Sequence, residues 1–79
     1  MFAEYEYEID ATGLRCPLPV LKFKKLDKLL PGGAVVRVIA TDPDSVKDFT
    51  VLCQMKGYQI LEIDQVEDTF VIVIQINKA

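Results

Sequence analysis

Residues 34–41, AVVRVIAT, are apolar on both faces apart from Arg37 and rich in β-branched side chains. Such a run reads as a central strand, because only a strand covered on both faces keeps so little polarity. It needs strands beside it and a helical layer over it, which directs attention to what flanks it. PGG at 31–33 stops whatever precedes it, and DPDS at 42–45 starts whatever follows.

Upstream, EYEYEID alternates strictly, with Glu4, Glu6, Glu8 and Asp10 on one face and Tyr5, Tyr7 and Ile9 on the other. This predicts a half-buried strand. DATG then turns the chain, with Asp10 free to accept local backbone hydrogen bonds and Gly13 free to take positive φ. The stretch CPLPVLKFKKLDKLL predicts a helix over about 17–30, since prolines are tolerated in a first turn whose N–H groups lack intrahelical partners. Pro19, Val20, Phe23, Leu26 and Leu30 share one arc and form its core stripe. Lys22, Lys24, Lys25 and Lys28 lie off that stripe, as do Leu18, Leu21 and Leu29.

Downstream, Asp42 as N-cap and Pro43 as first helical residue predict a second helix running to about Lys56, with Gly57 as its stop. YQILEID and TFVIVIQI are the last two strands, joined through QVED. The order β-α-β-α-β-β gives an α/β (α+β) two-layer sandwich, a four-stranded mixed sheet with both helices on one face, as one domain over residues 1–79. Either Phe70, Ile72, Ile74 and Ile76 or Val71 and Val73 must then point away from the helices, as ordinary exposed strand residues or as a partner surface.

Composition excludes several function classes. No histidine is present, so a cysteine–histidine hydrolase is ruled out, and two cysteines without histidine cannot furnish a structural zinc site. The cysteines stand 37 positions apart and form no CxxC pair. No cofactor or metal is expected. The net charge of −3 argues against direct nucleic-acid binding, and no apolar run is long enough for a membrane span. The opening MFAEYEYE has no signal-peptide character, so a cytoplasmic location is expected. Five of the nine basic residues, Arg15, Lys22, Lys24, Lys25 and Lys28, nevertheless cluster within 15–28, a patch suited to one acidic partner surface.

Cys53 follows Val46 and Phe49 at helical spacing and is expected to be buried and inert. Cys16 is different. It sits at or just before the start of the first helix, beside Arg15, in the frame GLRCPLP. Helix N-termini favour anions, so its thiol is expected to titrate below the ~8.5 of a free cysteine. A lone activated thiol without base or resolving partner suits a group carrier or a regulatory site.

The run DATGLRCPLP, a lysine-bearing helix, PGG, a β-branched strand and DPDS…D closely resemble the TusA/SirA family of sulfur carriers over essentially the whole chain. Asp10, Gly13, Leu14, Cys16, Pro17 and Pro19 each match a position of that family's CPxP signature, and Asp42-Pro43 matches the start of its second helix. The resemblance implies that Cys16 takes sulfur as a persulfide from a cysteine desulfurase or rhodanese-type donor and passes it to an acceptor protein, as a sulfurtransferase-type carrier. It further implies tRNA 2-thiouridine formation, molybdenum-cofactor synthesis or sulfur oxidation as destinations. The rival reading is a non-catalytic regulatory module that docks partners through the basic first helix.

Overall fold

The computed structural model describes residues 4–78; residues 1–3 and 79, the two ends of the 1–79 span, lie outside the described residues. Its elements are β1 (Tyr7–Ala11), α1 (Leu18–Asp27), β2 (Val35–Ala40), α2 (Ser45–Lys56), β3 (Gln59–Val66) and β4 (Thr69–Gln75). The sheet order is β1-β2-β4-β3. β2 pairs in parallel with β1 and antiparallel with β4, and β3 pairs antiparallel with β4, so the sheet is mixed as the sequence predicts.

The run at 34–41 lies at the centre of the sheet because it can fill both faces. Val36, Val38 and Ala40 are fully buried under the helices, beside Ile9 and Ala11 of β1 and Ile72 and Ile74 of β4. Phe23 of α1 and Phe49 of α2 join this one cluster, their rings edge to face with centroids 5.6 Å apart. The isoleucine set of β4 is therefore the inward one. Val71 and Val73 face the opposite side, where β3 sets Asp64 and Glu62 beside them. There they line a hollow of about 420 Å³ with Arg37, Tyr5 and Val66.

Four expectations are corrected. The alternation at 4–10 becomes strand only from Tyr7. Tyr5 turns to the open side of the sheet, where Arg37 lies 5.2 Å from its ring centroid and donates a hydrogen bond to its hydroxyl. α1 ends at Asp27 and not at Leu30; the expected stripe does face the core, with Pro19, Phe23 and Leu30 buried and Val20 and Leu26 packed half-buried against it, but Asp27 is buried on that side as well. α2 begins at Ser45, with Asp44 at the N-cap, although Asp42 Oδ1 still accepts the Asp44 N–H just ahead of it while Oδ2 reaches across to the Cys16 N–H. The last hairpin is tighter than QVED, since Gln65 and Val66 remain in β3 and only Glu67 and Asp68 turn, Glu67 at positive φ.

Asp27 is the buried charge of the fold. Its carboxylate accepts hydrogen bonds from Lys56 Nζ at 2.8 Å and Tyr58 Oη at 2.7 Å, while Lys78 Nζ reaches the Asp27 and Leu30 carbonyls. Burial alone would raise its pKa, but these hydrogen bonds and the lysine charges outweigh it and hold the carboxyl below its ordinary value. One side chain thus joins the end of α1 to the end of α2, the start of β3 and the C-terminal segment.

Candidate functional site around Cys16

β1 and β2 are parallel neighbours, so the segments that follow them leave the same edge of the sheet side by side. The first is 12–17, the loop that carries Cys16; the second is 41–44. They are stitched together directly. Gly13, at φ +79, donates its N–H to Thr41 Oγ1 at 2.9 Å, and the Cys16 N–H donates to Asp42 Oδ2. Asp42 Oδ1 meanwhile accepts from the Asp44 N–H. These backbone donors, the Asp44 one first, hold the Asp42 carboxyl below its ordinary pKa, with the nearby Arg15 charge acting in the same sense.

The predicted support residues fall around this loop. Asp10 Oδ1 accepts from the Thr12 N–H and hydroxyl, closing the turn and lowering its own pKa. Leu14 packs against the core, and its N–H donates to the Ala11 carbonyl. Arg15 is exposed, and its carbonyl accepts from the Leu18 N–H. Pro17 occupies the N-cap of α1 after a cis peptide bond from Cys16, and Pro19 is buried in the first turn.

The thiols divide as expected in exposure: Cys16 is exposed and Cys53 buried, both free. Desolvation pushes the Cys53 thiol up to about 11. The expected activation of Cys16 is overturned, because its thiol is also pushed up to about 11. The largest cause is a hydrogen bond to the Asp48 side chain, followed by desolvation and the charges of Asp48, Asp42 and Asp44. A helix N-terminus stabilises an anion through orphan N–H groups, but Pro17 and Pro19 have none, and the Leu18 N–H is already engaged with Arg15. Carboxylates around the start of α2 set the direction of the shift.

Cys16 opens onto a groove between the helices, lined by Pro17, Val20 and Lys24 from one side and by Asp48, Val51 and Met55 of α2 from the other. Val51 and Met55 expose 47% and 81% of their surface, so α2 offers apolar contact next to the thiol. Reading the sequence missed Asp48, Val51 and Met55 as site residues, and took Asp42 only for a helix cap. The signal available was the βαβ order, which places the 41–44 segment and the first turn of α2 beside the cysteine loop.

The lysines are exposed along α1, where Lys22, Lys24, Lys25 and Lys28 surround Leu14, Leu18 and Leu21. Leu18, Leu21 and Leu29 are exposed as expected, Leu29 by 80%. Lys22 differs from the others: its Nζ donates to the Asp10 carbonyl at 2.7 Å and ties α1 to the end of β1. Among the described residues no helix is long and apolar enough to cross a membrane.

With this geometry in view, comparison with known proteins is decisive about ancestry. The family model described as sulfurtransferase TusA matches residues 7–76. The sulfur carrier protein TusA of Allochromatium vinosum is 47% identical over 60 residues, covering 76% of this chain and 79% of that protein. The TusA protein of Pseudomonas syringae is 38% identical over 63 residues, 80% of this chain and 75% of its own. A SirA-like protein from Desulfitobacterium hafniense superposes with a TM-score of 0.80 at 28% identity, covering 92% of this chain and all of the other. The chain belongs to the TusA sulfurtransferase family.

Proposed function

We propose that the 1–79 chain acts as one cytoplasmic carrier domain that holds sulfane sulfur as a persulfide on Cys16. The observation that carries this reading is an exposed thiol on a loop fixed by Gly13 and Asp42, in a member of a family of sulfur carriers whose other cysteine is buried. The Cys16 sulfur attacks the outer sulfur of a donor persulfide. The donor S–S bond breaks, the donor sulfur departs with the electron pair, and it receives the proton released by the Cys16 thiol. The second transfer reverses these roles: an acceptor thiol attacks the outer sulfur of the Cys16 persulfide, and Cys16 leaves as the thiol.

A cysteine desulfurase or rhodanese-type enzyme is the donor in this reading, and an acceptor protein the recipient, with tRNA 2-thiouridine formation as a destination. The raised thiol pKa leaves only a trace of thiolate at neutral pH, so ionisation belongs to the encounter with a partner and not to the free carrier. The lysines of α1 and the exposed Val51 and Met55 provide a basic rim and an apolar floor for that encounter. Incubation with cysteine and a cysteine desulfurase tests the reading. Intact-mass analysis is expected to show a reductant-sensitive gain of one sulfur atom on Cys16 in wild type and none in Cys16→Ser. Absence of the adduct from wild type, while the desulfurase turns over, would exclude the carrier role and leave the docking module.

A further inference from the structure

We propose that the sheet face turned away from the helices docks α1 of a second copy of this chain, an acid-edged apolar valley receiving a basic, leucine-bearing helix. The carrier reading is not needed for this. Cross-strand register lays two rows of side chains over that face: Glu8, Arg37, Val73 and Glu62 in one, Asp10, Ile39, Val71 and Asp64 in the other. In both rows the two edge strands supply the carboxylates and the two central strands the middle. Val71 and Val73 floor the hollow of about 420 Å³ on this side. Arg37 is the one cation among the described residues of the four strands, and it is already engaged, 3.5 Å from Glu8 and over the Tyr5 ring. Four carboxylates against one cation leave the face strongly acidic.

The outer side of α1 is the counterpart of this valley. Leu18 and Leu21 are exposed there beside Lys24, Lys25 and Lys28, which form no ion pair among the described residues. Each surface supplies what the other lacks, apolar centre to apolar centre and lysine rim to carboxylate edge. Sheet against sheet would instead oppose carboxylates to carboxylates, and helix against helix lysines to lysines. The placement also fixes the kind of assembly. α1 packs on the face of the sheet opposite the hollow, so two different surfaces meet and every contact leaves one of each unfilled. Such a contact grows head to tail and does not stop at a dimer. On the carrier reading it covers the lysines that a donor would use, so assembled copies are withdrawn from docking.

Sedimentation equilibrium of the full chain, kept reduced and without any sulfur donor, tests this. Failure here is therefore distinguishable from failure of the carrier reading. In ~10 mM salt, where the screening length is ~30 Å, the average mass is expected to rise with protein concentration without levelling at two copies. In ~1 M salt, where screening shortens to ~3 Å, it should return to that of one copy. Lys24→Glu combined with Lys25→Glu should abolish association, as should Glu62→Lys combined with Asp64→Lys. Mixed in equal amounts, the two reversed proteins should associate again, because each acidic surface then meets a basic one. Glu62→Gln with Asp64→Asn, closer in size, should weaken association and replaces the lysine pair if that pair disturbs β3. A wild type that remains a single copy in low salt would overturn the proposal, as would a mass that levels at two copies or association unchanged in either reversal. So would a mixture that stays dissociated while both variants keep the wild-type circular dichroism.

Discussion

Replacing Asp27 by alanine tests whether one buried carboxylate holds the two helices in register. Asp27 is 1% exposed, and alanine would leave the Tyr58 hydroxyl without its acceptor. Hydrogen bonds to a charged group contribute about 1.5–3 kcal/mol each, and breaking a buried ion pair costs about 3–5 kcal/mol. Lys56 and Lys78 are 38% and 36% exposed, so solvent screens both and each regains water once unpaired. The discounted loss is about 2–4 kcal/mol, against a total of roughly 4–12 kcal/mol for a chain of this length. Urea unfolding followed by far-UV circular dichroism measures it, since the chain has no tryptophan.

The pH dependence adds an independent check. Asp27 has a lowered pKa in the fold, so its stabilisation is present above the ordinary carboxylate value near 3.8 and is lost as pH falls through the folded value. Wild type is therefore expected to lose stability more steeply than Asp27→Ala on acidification below about pH 4. A loss under about 1 kcal/mol at pH 7, with parallel acid profiles, would mean that desolvation cancels the pairing and that the helices are held by apolar packing alone.

Other outcomes follow from the same structure. Cys53→Ser should leave sulfur acceptance intact but lower stability by about 1–3 kcal/mol in urea unfolding, because it sets a hydroxyl among apolar neighbours. Reversal of Lys24 and Lys25 to glutamate should slow sulfur transfer from the donor several-fold at low salt, with the difference shrinking as the screening length falls to ~8 Å or less. Lys22 is spared in that test, since its bond to the Asp10 carbonyl makes it a structural contact as well. Gly13→Ala should destabilise by about 1–2 kcal/mol through its positive φ alone, because no atom lies within 4 Å of the added carbon.

What was legible in the sequence was whatever depends on local period. The β-branched run at 34–41, the proline-led start of α1 and the Gly57 stop of α2, now seen at φ +75, all advertise themselves within a few residues. Asp27 does not. It reads as one more polar residue on a lysine-rich helix, and its partners at 56, 58 and 78 come from other elements. Leu26 was placed on the core stripe in its stead, and both residues lie within the inward arc. The arc is shared because Lys56 and Tyr58 make a charge acceptable there.

The site shows the same division at shorter range. A cysteine before a helix, next to arginine, invites the inference of an activated thiolate, and the inference fails on two facts of connectivity. The prolines at 17 and 19 that pin the start of α1 have no N–H of their own to offer an anion. The parallel pairing of β1 with β2 then delivers the start of α2, with Asp42, Asp44 and Asp48, to the same place. The raised thiol pKa at Cys16 thus traces to carboxylates around the start of the second helix, not to the helix it precedes. Carboxylates at the start of α2 act on the sulfur, while Lys24 lines the same groove and the other lysines spread along α1. On the proposed carrier reading, a partner steered by the lysines would meet a thiol held above its ordinary pKa, so transfer would depend on what that partner does to the acidic collar once docked.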